Sequence, residues 1–228
     1  MRVAFLSDIH ANFFYLQTVL TQMEKHAIDQ IYCLGDLVGY YDQPNEVIDL
    51  VREKGIQCIK GNHEKYLLSE LKYDKAKENI YRIQIQRASM SRDNMNFLAT
   101  LPDSMDLVLG NRRFYLTHSL PGDPLTYAYD VEKLDRDFFS KYDFYCYGHT
   151  HIPMIKYAYG TCIINPGSVG QPRDYTGQPS CCIVDLENNV NYLLKVAVDN
   201  SVYSMQLKTG KVDESLIKIL NRTRNENY

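Results

Sequence analysis

The chain has 228 residues, 45% of them hydrophobic and 23% charged, with a formal net charge of −3. That length and balance fit one globular domain over residues 1–228 with a sizeable core, and they exclude the disordered, collagenous and small disulfide-scaffold classes. A net negative charge argues against a nucleic-acid-binding or acidic-membrane surface, although not against a phosphate substrate, because bound cations can supply the positive charge that the side chains lack.

In chain order, the apolar run at the N-terminus is short and ends at Asp8, too soon for a signal peptide, and Val3 to Ser7 reads as a buried strand. Asn12 is an N-cap candidate for a helix whose apolar face is Leu16, Val19, Leu20 and Met23. Ile31 to Leu34 is a second strand. Pro44 opens a helix with Val47, Ile48 and Val51 on its face, Gly55 stops it, and Ile56 to Ile59 is a third strand. A β-α-β-α-β start of this kind implies parallel strands with right-handed crossovers. Residues 64–100 read as helical, with Ile80 and Ile83 marking one helix and Met95, Leu98 and Leu101 another, ended by Pro102. Strands follow at 105–109, 113–117, 143–147, 161–164, 180–186 and 190–198, with turns at Asn111-Arg112 and Asn188-Asn189. Asp213 to Leu220 is a short helix, and 221–228 is a polar tail expected to fray. No stretch approaches the roughly 18 apolar residues of a membrane helix, so a cytoplasmic protein without a membrane partner is expected. The six cysteines show no CxxC and sit mostly in apolar runs, as reduced, buried thiols would.

The chemistry lies at strand ends. Ser7-Asp8-Ile9-His10, Gly35-Asp36, Gly61-Asn62-His63-Glu64, Leu116-Thr117-His118 and Gly148-His149-Thr150-His151 each follow an apolar strand and carry metal-capable side chains. Ligands of α/β sheets bind outside the carboxyl ends of strands. Imidazole mixed with carboxylate suits manganese, iron, zinc, cobalt or nickel rather than calcium or magnesium. A carboxylate can bridge two cations, and two cations about 3.5–4 Å apart can hold the attacking and leaving oxygens of an in-line displacement. Gly35, Gly61 and Gly148 would let backbone approach such a centre. Singly, each Asp reads as a cap or turn and each His as a surface residue. Jointly, five of the six histidines fall at strand ends, and only His26 does not.

The order DxH, GD, GNH[DE], H, GHxH resembles the calcineurin-like metallophosphoesterase superfamily, from Asp8 to Arg173. The run from Asn165 to Asp174, with His118-Ser119-Leu120-Pro121 and Leu37-Val38-Gly39-Tyr40, is similar to a branch of small bacterial phosphoesterases related to diadenosine tetraphosphatases and protein phosphatases. The resemblance implies a four-layer αββα sandwich of two mixed β-sheets flanked by helices. It implies that Asp8, His10 and His151 hold one divalent transition metal, that Asn62, His118 and His149 hold another, and that Asp36 bridges them, with manganese the first candidate. It gives His63 a role at the substrate and as acid toward the leaving group. Gly39 and Tyr40 stand where serine/threonine phosphatases have the second Asp and the Arg of GDxxDRG, Lys60 replaces the usual Arg before GNH, and the branch's Gly-Pro near Tyr41-Asp42 is absent. These departures argue against phosphoproteins as substrates.

Arg173 is either a bidentate phosphate clamp or a structural loop residue. Asn12 is a helix cap or a substrate contact. Tyr40, Tyr41, Tyr127 and Tyr175 lie near the motif loops, where tyrosines usually pack but one of them could stack a nucleobase. The expected partner is a small phosphoester or nucleotide. Three functions compete: hydrolysis of phosphodiesters or phosphomonoesters, hydrolysis of dinucleoside polyphosphates, and a non-catalytic scaffold like the retromer subunit of this fold. The presence of His63 favours the first two.

Overall fold

A computed structural model describes residues 1–130 and 135–222. The expectation of a frayed tail therefore lies, for 223–228, outside the described residues. In β1 (Arg2–Leu6) the side chains alternate in the manner of a strand buried on both faces: Val3 and Phe5 enter one apolar cluster, Ala4 and Leu6 another. The helix α1 (Phe13–Met23) starts on Asn12, whose Oδ1 accepts from Tyr15 N at 3.1 Å while its Nδ2 donates to the Gly170 carbonyl at 2.9 Å. Both polar groups of this buried side chain are spent on backbone, so Asn12 is a cap. Next come β2 (Gln30–Cys33), α2 (Pro44–Glu53), which has Pro44 in its first turn, and β3 (Gln57–Cys58). The strands β1, β2 and β3 are parallel, as the alternating start requires.

The helical stretch is broken into α3 (Asn62–Leu67), α4 (Glu78–Tyr81), α5 (Ile83–Ser89) and α6 (Arg92–Thr100). Ile80 and Ile83 do not share a helix, because Arg82 between them adopts φ +56°, a left-handed conformation that ends one helix and begins the next. The hairpin of β4 (Ser104–Leu109) and β5 (Arg112–Thr117) turns at Gly110-Asn111, and Arg112 is already paired in the strand, one position from the expected turn. After α7 (Arg136–Phe139) come β6 (Phe144–Cys146), β7 (Met154–Ala158), β8 (Thr161–Asn165), β9 (Ser180–Asp185), β10 (Val190–Lys195), α8 (Ser201–Thr209) and α9 (Glu214–Leu220). Three of these are additions to the sequence reading. The strand β7 lies at a sheet edge with Lys156 and Tyr157 exposed, and it lacks the apolar alternation that marks a half-buried strand. In α7 there is a single turn. The polar α8 anchors itself through only two buried residues, Tyr203 and Leu207.

Among the described residues two five-stranded mixed sheets result, in the orders β10-β9-β1-β2-β3 and β4-β5-β6-β8-β7. They pack face to face over Val3, Phe5, Leu34, Phe114, Phe144, Ile164 and Val184. The outer face of the first sheet is covered by α1, α2 and the C-terminal helices through Leu16, Val19, Val47, Ile48, Leu216 and Leu220. The outer face of the second is covered over Tyr145 and Ile163 by Phe139 of α7. This is the expected sandwich of two mixed sheets flanked by helices, thick on one side and thin on the other. All six cysteines are free and buried, and burial pushes the thiols of Cys33, Cys146 and Cys182 well up, as inert core residues require. Among the described residues, no helix is long and apolar enough to cross a membrane.

Candidate metal centre

The loops leaving β1, β2, β3, β5 and β6 meet at one edge of the sandwich. Backbone hydrogen bonds tie them together: Asp8 N to the Gly35 carbonyl at 3.0 Å, His10 N to the Asp36 carbonyl at 2.9 Å, and Gly148 N to the His118 carbonyl at 2.9 Å. Room for this approach comes from the absence of side chains. A Cβ on Gly61 would fall 2.1 Å from Asp36 Oδ1, and one on Gly148 would fall 1.9 Å from Ser7 Oγ. Five side chains of the cluster are aimed by left-handed backbone: φ is +54° at Asp8, +51° at His10, +56° at Asp36, +64° at His149 and +60° at His151. Each such residue costs about 1–2 kcal/mol relative to ordinary backbone, and strain of this kind concentrates at functional sites.

The imidazoles are oriented in one way. His10 Nδ1 meets the Val38 carbonyl at 3.0 Å, His118 Nδ1 the Leu34 carbonyl at 2.7 Å, His151 Nδ1 the Gln171 carbonyl at 2.7 Å, and His149 Nε2 the Leu125 carbonyl at 3.1 Å. A carbonyl only accepts, so each of these nitrogens carries the proton and the other nitrogen of each neutral ring presents a lone pair. Those inward nitrogens converge in two pairs, His10 with His151 and His118 with His149, each 3.2 Å apart. Two ring nitrogens bound at about 2.1 Å to one ion lie roughly 3.0–3.4 Å apart at octahedral to tetrahedral angles. Asp8 Oδ1 is 3.4 Å from His151 Nε2 and, although buried, has no hydrogen-bond partner among the described residues. Asp36 Oδ2 lies between the pairs, 3.3 Å from His118 Nε2 and 3.7 Å from His10 Nε2, and Asn62 Oδ1 is 3.1 Å from His118 Nε2. Asp8, His10 and His151 thus form one group that could hold a cation, and Asp36, His118 and His149 a second. The donor chemistry and the unpartnered Asp8 oxygen fit divalent cations.

Charge is shared unevenly across the cluster. Burial alone would raise the Asp36 carboxyl, yet His118, His63 and His10 hold it well below the carboxylate range. Burial pulls His118 down, but Asp36 outweighs it and lifts the imidazole to about 9. Burial lowers His149 to about 3 and His10 and His151 well below the usual range, and it raises Asp8 to about 7. A proton on His118, facing Asp36, Asn62 and His149, therefore occupies one corner of the cluster at neutral pH, and a cation would displace it.

His63 differs from the other four. Its Nε2 is 4.0 Å from Asp36 Oδ2, within reach of a third group with His10 and Asp36, but its buried Nδ1 has no carbonyl and no other hydrogen-bond partner among the described residues. Its ring is held by aromatic contact instead, stacked on Tyr81 at 4.8 Å and tilted against Tyr40 at 4.8 Å, and burial lowers it to about 4. A Cβ on Gly39 would lie 2.0 Å from His63 Nδ1, so no carboxylate can stand at that position to orient the ring. Arg173 adjoins the cluster. It donates through Nη2 to Tyr40 Oη at 3.2 Å and to Gln171 Oε1 at 2.9 Å. Of the tyrosines near the motif loops, Tyr40 and Tyr41 are buried, Tyr127 lies exposed on His149, and Tyr175 stands by the Arg222 guanidinium.

The supporting residues were not singled out from sequence. Glu64 is fully buried and accepts four backbone N–H groups, from Asp36 at 2.8 Å, Leu37 at 2.7 Å, Val38 at 3.1 Å and Gly61 at 2.7 Å. It clamps the Asp36 loop to the Gly61 loop. Burial and the charge of Asp36 push its carboxyl up to about 7, against the pull of those N–H groups. Its place three residues after Gly61 has capping-box spacing, which was the available signal. Gln86 bridges Gly39 N and the Tyr41 carbonyl, and Asn165 donates to the Gly148 carbonyl and Thr150 Oγ1.

Comparison with known proteins gives the family and the fold. The sequence model of the calcineurin-like phosphoesterase superfamily domain matches residues 1–189. An uncharacterized protein of Methanocaldococcus jannaschii is 30% identical over 213 residues, 86% of this chain and 88% of that protein. A metallophosphoesterase from Sphaerobacter thermophilus superposes with a TM-score of 0.78 at 25% identity, over 97% of this chain and 98% of that one. A hypothetical protein from Pyrococcus horikoshii shares the fold, with a TM-score of 0.82 at 19% identity over 96% and 97% of the two chains. The chain belongs to the calcineurin-like phosphoesterase superfamily.

Proposed function

We propose that this member of the superfamily is a phosphoesterase that hydrolyses small phosphodiesters or phosphomonoesters with two divalent transition metals. Asp8, His10 and His151 would hold one, Asn62, His118 and His149 the other, and Asp36 both. The observation that carries the reading is the pair of imidazole nitrogen contacts, each 3.2 Å, on either side of Asp36. At that distance two ring nitrogens can share a proton, as His118 and His149 do at neutral pH, or ligate one divalent cation in its place.

When bound, the cations supply Lewis acidity, which brings the pKa of a water near neutrality and neutralises phosphoryl oxygens. The remaining work falls to the chain. Carbonyls of Val38, Leu34, Gln171 and Leu125 keep the four rings in the tautomer that leaves a lone pair inward. Arg173, held by Tyr40 and Gln171, would offer its guanidinium to a phosphate oxygen. His63 stands beside Asp36 without an anchored nitrogen, which suits a group that hands a proton at Nε2 to the leaving oxygen. The absence of the phosphatase Asp and Arg at Gly39 and Tyr40 supports small esters over phosphoproteins.

The test is a hydrolysis screen of the purified chain with manganese, zinc, iron, cobalt and nickel in turn, against model monoesters, diesters and dinucleoside polyphosphates. Metal-dependent diester or monoester turnover is expected. Turnover of dinucleoside polyphosphates alone would shift the reading to anhydride hydrolysis. No turnover with any metal, at full metal occupancy, would leave a scaffold.

A further inference from the structure

The loop spanning 119–129 carries side chains that the chemistry above does not use. Its backbone is fixed. Tyr145 Oη donates to the Ser119 carbonyl at 2.9 Å, Leu125 N to Asp123 Oδ1 at 2.8 Å, Thr126 Oγ1 to Asp123 Oδ2 at 2.7 Å, and Tyr147 Oη to the Ala128 carbonyl at 3.0 Å. Yet two of its rings face solvent: Tyr127 is 42% and Tyr129 56% exposed. The Tyr127 ring lies on the face of His149, with centroids 4.2 Å apart and planes at 24°, and the Arg173 guanidinium is 6.0 Å from its centroid. Tyr129 continues outward from Tyr127 at 6.1 Å, with planes at 10°. The rings form a step that begins at a histidine of the metal cluster and ends in water. No third ring fits between them at that spacing, so the open surfaces are the outer face of Tyr129 and the exposed part of Tyr127.

We propose that Tyr127 and Tyr129 are a stacking platform for a nucleobase, and hence that the esters hydrolysed are nucleotides or nucleoside phosphodiesters. The proposal rests on the phosphoesterase reading and narrows it. A rigid loop that leaves two flat rings in water is prepared for a flat partner, because little side-chain freedom is lost on binding. Every base has a π-face, and stacking one base on an aromatic side chain is worth roughly 5- to 150-fold in affinity. The Arg173 guanidinium, 6.0 Å from the Tyr127 centroid, sets a cation beside the first step of the platform, so that a charged group and an aromatic surface adjoin. The chain's charge of −3 gives no basic surface for a long polyanion, so a single nucleoside unit is the fitting size.

The experiment compares thymidine 5′-(p-nitrophenyl phosphate) with methyl p-nitrophenyl phosphate on the manganese-loaded enzyme. The two diesters share charge and leaving group and differ only in the nucleoside. The wild type should favour the nucleoside ester by about tenfold or more in kcat/KM. Tyr129→Ala should remove that preference, chiefly through KM, and leave the methyl ester within about twofold, while Tyr129→Phe should restore it. Equal wild-type rates on the two esters, or an equal loss on both in Tyr129→Ala, would overturn the platform. If neither ester is hydrolysed, the phosphoesterase reading fails first. Calorimetric binding of AMP against ribose 5-phosphate then decides the platform separately, with equal affinities overturning it. Self-association that Tyr129→Ala abolishes, with no base preference, would also overturn it and assign the rings to a protein contact.

Discussion

Gly61→Ala is the smallest change that reaches the centre of the site. The residue has φ −97°, unremarkable for alanine, so no backbone strain is introduced. The effect is one of space. The new Cβ would sit 2.1 Å from Asp36 Oδ1 and 2.6 Å from Asp36 N, where ordinary contact begins near 3.4 Å. Something must therefore move by about 1 Å, and the atoms available are the carboxylate proposed to join the two cations and its own backbone. Overpacking of this kind typically costs about 1–3 kcal/mol of stability, and a misplacement of about 1 Å at a reacting centre costs on the order of 10²-fold in rate. Gly55→Ala serves as the control: it has φ +63° and nothing within 4 Å, so it carries strain without collision and stands before β3, at the other end of that strand from Gly61. We expect it to lose about 1–2 kcal/mol and keep its rate. The measurements are urea unfolding, metal content by elemental analysis, and kcat/KM on a p-nitrophenyl diester at saturating manganese. A Gly61→Ala enzyme with two metals bound and a rate within threefold of wild type would refute the placement of Asp36 at the heart of the chemistry.

Other outcomes follow from the same geometry. His63→Ala should retain its metals and lose about 10²–10⁴-fold in kcat on alkyl esters but far less on p-nitrophenyl esters, whose leaving group needs no proton; loss of a metal would make His63 a ligand. Apparent metal affinity should rise with pH from about 7 to about 9, since Asp8 and His118 titrate there and their protons must leave when a cation enters; calorimetry in buffers of different ionisation enthalpy reads the released protons, and a flat profile would contradict the assignment. Arg173→Lys should fail to rescue the loss in kcat/KM of Arg173→Ala on diesters, because an ammonium cannot span Tyr40, Gln171 and phosphate together; full rescue would show a point charge to be sufficient. Turnover of a phosphopeptide should fall below that of bis-p-nitrophenyl phosphate, and the reverse order would contradict the reading of Gly39 and Tyr40.

The site was legible in the sequence because each of its loops repeats one local sentence: an apolar strand, usually a glycine, then a donor side chain. Such a pattern needs no knowledge of the other strands. Gln86 and Asn165 were not legible as supports because what they hold lies 47 and 17 residues away, and a side chain's reach across the fold leaves no periodic trace, while Glu64 showed only its capping-box spacing to Gly61 and not its hold on Asp36, 28 residues away. The same limit governs the elements. The α1 and α2 helices announced themselves through apolar spacing and end signals, whereas β7 gains its pairing from β8 and α8 its footing from Tyr203, both supplied by the assembled structure. Tyr41 shows the opposite failure. Its place beside the motif loop suggested the site, but it is fully buried, with its hydroxyl donating to the Leu216 carbonyl at 3.4 Å.

The left-handed backbone at Asp8, His10, Asp36, His149 and His151 bears on how the protein assembles. None of these loops would hold its shape as an isolated peptide, since each conformation is locally uphill. They persist because distant parts of the chain close over them: Val169 N on the Ser7 carbonyl, Gly170 N on the Asp8 carbonyl, and His149 N on Asp8 Oδ2. The constellation therefore comes into being only when both sheets have docked and the segment after β8 has returned to β1. Occupancy and global folding become one cooperative event. An ion that enters stabilises the whole sandwich rather than a single loop, and chelation should lower one melting transition instead of producing a second.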